Sequence, residues 1–297
     1  MIVATLASFT PPVKAAGELS PRFSELRGLS SITRPYSLIS SVKCPCLKSR
    51  SSHETTELES KERFSVLASG IPWEERNIWS TFGVYMFCLH IPLSFGGLSI
   101  VAYFLHQPVL DPQTQVLSLL LLQMVELAVT VFLLRNTAKS HIDFLKGCDS
   151  GKERNWFLGS ALGFGFLLSL VFITSIVVDK LLGSEAANNM EVKKIVEEGE
   201  VVSRSACFAL YCVVAPALEE IVYRRFLLTS LSSAMSWEKG LLTSSLIFAG
   251  AHFSGENFVQ LFAVGCVLGC CYSWTGNLAS SLLLHSLYNA FTLLALQ

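Results

Sequence analysis

Between Ala215 and Leu228 the sequence reads APALEEIVYRRFLL, which puts Glu219, Glu220, Arg224 and Arg225 within two helical turns of an otherwise apolar stretch. A charged side chain at bilayer depth costs roughly 2.5–3.5 kcal/mol on insertion scales. Four such groups therefore need partners, water or a chemical task. Glu220 and Arg224 are four residues apart with the glutamate N-terminal, the favourable order for an ion pair on one helix face. Glu219 points about 100° away, on a face it shares with Val222, Tyr223 and Phe226 and with no basic residue. Glu220 is thus expected to be held by Arg224, and Glu219 to face a cavity. Downstream, Phe248 and His252 in FAGAH share one helical face, as do His285 and Asn289 in HSLYN. Glu219, His252, His285 and Asn289 come from three segments and can converge in the core of a helix bundle.

Such a group is equipped for hydrolysis. A carboxylate in a partly desolvated site can act as general base toward water, and a neighbouring imidazole can share that water or donate to a leaving amine. A second histidine and an asparagine can donate hydrogen bonds to the oxyanion of an attacked peptide carbonyl. This inventory suffices to cleave a peptide bond without a covalent intermediate. Two histidines and a glutamate are also a familiar zinc set, so Glu219, His252 and His285 are the ligands to expect if a divalent metal is used. The HExxH helix of zinc proteases is absent, and no other cofactor is indicated. The structural alternative is a Glu–Arg pair that fixes helix register beside histidines that only pack. Its weakness is that every one of these polar groups demands compensation in a membrane.

The elements that must position these residues are membrane helices. The 297-residue chain is 51% hydrophobic and only 15% charged, with a mean hydropathy of +0.50; soluble domains carry about 25% charged residues. An all-α, polytopic transmembrane bundle of about six to eight helices is expected, preceded by a disordered targeting segment. Residues 1–53 hold seven Lys/Arg against Glu18 and Glu25, are rich in Ser and Thr, and lack a secretory apolar core. That composition fits an organelle transit peptide, a plastid one by its Ser content. A charged arm follows over 54–77, then N-terminal transmembrane helices over 78–204 and a C-terminal transmembrane domain over 205–297.

Within these bounds spans are expected at about Ile78–Leu105, Gln113–Leu134 and Trp156–Val178. A long helix over Ser205–Leu231 follows, bent by Pro216 so that carbonyls are freed beside the glutamates. Three apolar segments complete the chain: Leu241–Phe253, Phe258–Trp274 and Leu278–Leu296. Pro92 and the Gly96–Gly97 pair make a straight first helix unexpected. His90 and Glu126 lie inside the first two spans and are read as structural, Glu126 pairing across helices. Gly159, Gly163 and Gly165 allow close helix approach. The connection from Arg135 to Arg154 carries five basic residues and the connection after the first span none, which places the former on the cytoplasmic or stromal side with the N-terminal arm. The nine cysteines form no CxxC pair and read as reduced, buried small hydrophobes. No basic patch interleaved with aromatics points to nucleic acid.

The three motifs also carry a resemblance. EEIVYR matches EExxxR, FAGAH matches FxxxH and HSLYN matches HxxxN, in the order used by the CPBP intramembrane proteases. These include the type II CAAX prenyl endopeptidases and the bacteriocin-processing and immunity proteins, and the similarity extends over about Ala206–Leu296. Arg225 departs from the pattern, since many members have Gly there. The resemblance implies that Glu219 and His252 activate water, that His285 and Asn289 stabilise the oxyanion or complete the site, and that Glu220, Arg224 and Phe248 support it. It implies a membrane-embedded endopeptidase acting on membrane proteins or peptides, in a multi-pass chloroplast location (thylakoid or inner envelope). Cleavage of CAAX substrates transfers poorly, because prenylated proteins mature at the ER face. A different class stays open: a non-proteolytic plastid scaffold that binds partner enzymes, since plastid proteins similar to the family include regulators of chlorophyll metabolism. A transporter fits less well, because there is no internal repeat and no matched pair of broken helices.

Overall fold

The structure, a computed structural model, describes residues 64–67, 71–138, 154–182, 192, 195, 199–255 and 257–295. The expected transit peptide and most of the basic loop between the second and third spans lie outside the described residues. Among the described residues there are seven helices and no strand, as expected for an all-α bundle. We number them α1 (Ile78–Phe104), α2 (Pro112–Thr137), α3 (Trp156–Leu182), α4 (Val201–Ala234), α5 (Trp237–Ala251), α6 (Phe258–Thr275) and α7 (Leu278–Leu294). Five of them, α1 to α4 and α6, are long and apolar enough to cross a membrane.

α1 runs on through Pro92, and around it departs from a regular α-helix, as expected. The missing N–H is absorbed by π-helical turns at Tyr85–His90 and Pro92–Gly96, in which each N–H reaches back five residues. α2 begins at an Asp111 cap whose carboxylate accepts the Thr114 N–H at 2.9 Å, with Pro112 at the first helical position. α4 carries two further π-helical stretches, Leu210–Val214 and Glu220–Leu228, on either side of Pro216.

Burial separates an inner from an outer layer. Of the most apolar window of each helix, 44% of α4 and 56% of α6 is buried, against 22%, 28% and 17% of α1, α2 and α3. The outer helices present Phe87, Ile100, Leu121, Phe132, Leu162 and Phe166 outward, a surface suited to lipid. α4 is the hub. Leu218, Val222, Tyr223, Phe226 and Leu227 pack against Phe248 of α5, against Phe82 and Tyr85 of α1, and against Trp73 of the N-terminal arm. α3 lies against α6 and α7 through its glycines: a Cβ at Gly159 would stand 2.9 Å from the Thr275 methyl, and one at Gly163 would stand 3.0 Å from Leu284. Gly165, expected to share that role, faces open space.

The described residues of the charged arm, 64–67 and 71–77, pack on the bundle. Phe64 stacks on Trp237 at 4.8 Å, the Val66 N–H donates to the Ser273 carbonyl at 2.9 Å, and the Trp73 indole donates to Ser230. Arg154 reaches the Phe64 and Trp274 carbonyls from the start of α3. These contacts gather the arm, the start of α3, the α4–α5 turn and the end of α6 on one side of the bundle, the side to which the loop charges assign the basic connection.

Candidate functional site

Glu219 and Glu220 are neighbours in sequence with opposite surroundings. Glu220 is fully buried and lies 3.3 Å from the Arg224 guanidinium, one turn on. It also accepts the Nδ1–H of His285 on α7 at 2.8 Å. Arg224 is itself 1% exposed. Its guanidinium lies over the Phe248 ring at 4.4 Å and donates to the Gly265 carbonyl at 3.5 Å. One carboxylate, an aromatic face and a carbonyl thus compensate a charge that lipid would otherwise expel. Arg225, the residue that departs from the family pattern, turns away from this cluster and reaches the Tyr272 hydroxyl on α6 at 3.4 Å.

Glu219 accepts no hydrogen bond at its buried Oε2. It faces two imidazoles at longer range, with Oε1 3.9 Å from His252 Nε2 and Oε2 3.8 Å from His285 Nε2. The other nitrogen of each ring is committed. His252 Nδ1 is 2.7 Å from the Phe248 carbonyl, which can only accept, so Nδ1 carries the proton and Nε2 presents its lone pair. A carboxylate oxygen and an imine nitrogen 3.9 Å apart do not bond each other, and the separation is one that a water donating to both would bridge. His252 follows the last residue of α5, and the next residue, Phe253, has φ 50°. That left-handed conformation is uncommon for an aromatic residue; it stops the helix where His252 meets the cavity.

The cavity is lined by Glu219, Tyr211, Ala215 and Tyr223 of α4 and by His252 of α5. Opposite them stand His90, Ser94 and Phe95 of α1 and Gln123 of α2. Its room for water is about 50 Å³, enough for a few molecules at about 10–15 Å³ each. Counting 1.5 Å per residue from the ends of α4 and α5 places Glu219 and His252 about 20 Å inside the bundle from the side where the arm docks.

His285 and Asn289 do not line this cavity. Both are buried on α7, with His285 backing the two glutamates. Asn289 donates its amide to the Tyr211 carbonyl at 2.8 Å. In the π register of Leu210–Val214, in which the Ala215 N–H reaches Leu210, the next donor, for Tyr211, falls at residue 216. That residue is proline and has no N–H. Asn289 supplies the bond that Pro216 withholds. Glu126 pairs across helices, as expected, and its partner is His90 of α1, which lines the cavity. Glu126, fully buried on α2, accepts the Nδ1–H of His90 at 2.9 Å. The signal was present in the sequence as an ionisable residue at the centre of a span.

Comparison with known proteins bears on the same helices. Residues 202–291 match the family described as type II CAAX prenyl endopeptidase Rce1-like. They hold Glu219, Glu220, Arg224, His252, His285 and Asn289. The C-terminal helices belong to the CPBP family. The chain is also similar to the membrane-embedded CAAX protease MroQ of Staphylococcus aureus (strain USA300), 26% identical over 140 residues, which is 45% of this chain and 55% of that protein. The chain thus spans about half the length of that curated relative. No solved structure matches.

The CPBP helices supply metal-compatible donor types: two imidazole Nε2 atoms and a carboxylate, with each Nδ1 held by an oxygen behind it. The spacing does not fit. Two ligands of one tetrahedral zinc ion stand about 3.4 Å apart, less than the 3.8 and 3.9 Å measured here. Among the described residues no three His, Cys, Asp or Glu side chains group closely enough to hold an ion. The arrangement fits a water better than a metal.

Proposed function

We propose that the protein is a membrane-embedded endopeptidase that hydrolyses peptide bonds of membrane-associated proteins or peptides. The observation that supports this is the contrast between adjacent carboxylates, Glu220 ion-paired with Arg224 and hydrogen-bonded by His285, and Glu219 without a hydrogen bond at its buried Oε2, facing a cavity and two imidazoles. In this reading Glu219 takes a proton from water while His252 Nε2 accepts the other water hydrogen and aims the oxygen at the carbonyl carbon. His285, through Glu220 and Arg224, holds α4 and α7 in register. It contributes to the oxyanion only when its Nε2 also carries a proton. Asn289 acts by keeping the Pro216 break, and hence Glu219, in place.

For location we propose a plastid membrane, thylakoid or inner envelope, on the basic and Ser/Thr-rich composition of residues 1–53. Residues 205–297 are the proposed catalytic domain. The experiment is proteolysis after reconstitution in liposomes. Solubilised host membrane proteins are incubated with wild type or with Glu219→Gln, and new protein N-termini are counted. Termini produced by wild type and lost in the variant support the enzyme; none with either protein removes the proposal.

A further inference from the structure

The cavity has a second wall that carries ionisable groups of its own. His90 and Gln123, from helices outside the family match, line it opposite Glu219 and His252. His90 is oriented with care. Its Nδ1 donates to Glu126 at 2.9 Å, and its ring is stacked 5.5 Å from Tyr85 at an interplanar angle of 25°. Glu126 is in turn approached by the Ser94 hydroxyl and the Gln123 amide, each at 3.5 Å. A buried carboxylate that holds one imidazole nitrogen fixes the ring, while the opposite nitrogen is directed elsewhere. His90 is 17% exposed at its side chain and Glu126 not at all, so the histidine is the member of the pair that meets the cavity. A purely structural pair has no need to open onto the cavity of the general base.

We propose that His90, oriented by Glu126, is the proton donor to the leaving amine, facing the water-activating pair across the scissile bond. This rests on the endopeptidase reading and completes it. As water attacks, its oxygen bonds to the carbonyl carbon and one of its protons passes to Glu219. When the C–N bond breaks, the electron pair stays on nitrogen, which takes the Nε2 proton of the His90 imidazolium. The proton on Glu219 then returns to His90 through cavity water, leaving a carboxylic acid and an amine with both side chains restored. His252 is less suited to this donation, because its Nδ1–H is spent on the Phe248 carbonyl and its Nε2 is a lone pair. The groups that share the cavity with His90 or adjoin it are Glu126, Tyr85, Tyr211, Glu219, Tyr223 and His252.

The test uses a peptide spanning a site that wild type cleaves and Glu219→Gln does not, made as the amide and as a p-nitrophenyl ester ending at the scissile residue. The ester's leaving group departs without protonation. His90→Gln is expected to lower kcat on the amide by about 10²–10⁴-fold, with KM within about twofold, and to lower ester cleavage by less than about threefold. In wild type the amide rate should fall at high pH where the ester rate does not. Equal losses on amide and ester, or an unchanged amide rate in His90→Gln, overturn the proposal and leave the endopeptidase standing. If His90→Gln does not accumulate, the wild-type pH profiles decide: an amide rate with no alkaline fall that the ester lacks overturns it. Absence of any Glu219-dependent cleavage instead sinks the underlying reading.

Discussion

The adjacent glutamates allow one chemical change to be made twice with opposite consequences. Glu220→Gln removes a charge from a site with no solvent exposure, where the carboxylate accepts from His285 at 2.8 Å and lies 3.3 Å from Arg224. The amide keeps the shape but leaves a buried guanidinium without its counter-ion, a loss of about 3–5 kcal/mol when one partner of a buried pair is removed. Glu219→Gln removes a charge that makes no hydrogen bond closer than the 3.8 and 3.9 Å approaches of the two imidazoles. Its effect on stability should be within about 1 kcal/mol. Its effect on catalysis should be large: loss of a general base lowers the rate by about 10²–10⁴, or about 3–5 kcal/mol on the barrier. The assay is thermal unfolding in detergent followed with a thiol-reactive dye, which reports exposure of the buried Cys207, Cys212 and Cys271. Cleavage is measured on the same preparations. Expected is a Glu219→Gln protein that melts with wild type and does not cleave, and a Glu220→Gln protein that melts well below it. A Glu219→Gln midpoint as depressed as that of Glu220→Gln, or a Glu220→Gln protein as stable as wild type, would refute the division of labour.

Three further outcomes are expected. Asn289→Ala should cost about 1 kcal/mol, one net hydrogen bond, and less in a Pro216→Ala background that restores an N–H for the Tyr211 carbonyl; a double-mutant cycle on thermal midpoints reads the coupling. Gly265→Ala should destabilise by about 1–3 kcal/mol, because its Cβ would lie 3.1 Å from the Phe248 ring and 3.2 Å from the Ser245 backbone, whereas Gly250→Ala, with open space around it, should raise the midpoint through helix propensity. At the exposed start of α2, the Thr114 amide and hydroxyl hold the Asp111 carboxyl below the usual carboxylate range. A depressed folded value means the cap is intact above the ordinary carboxylate pKa and is lost as pH falls through the lowered one; hydrogen exchange at Thr114 should therefore lose protection on acidification and stay unchanged between pH 6 and 8.

The helices were legible because hydropathy and length decide what a bilayer accepts, and all seven elements fall on the apolar segments of the sequence. Local spacing decided the Glu220–Arg224 pair, since residues four apart on a helix are neighbours whatever else the chain does. It also set Glu219 on a different face. Spacing could not say which polar group on another helix would arrive within 3 Å, because that depends on how each helix is rotated and crossed against its neighbours. Tertiary structure alone brought the His285 ring to Glu220 across 65 residues and the His90 ring to Glu126 across 36. It also set the Asn289 amide on the carbonyl that Pro216 leaves open, a backbone need that no motif records. And it laid residues 64–67 and 71–77 on the ends of α4, α5 and α6, where Phe64 and Trp73 find aromatic and hydroxyl partners that the charge pattern of residues 54–77 did not announce. The sequence by itself determined which groups a membrane must compensate; the packing decided which of them compensate one another and which are left facing water.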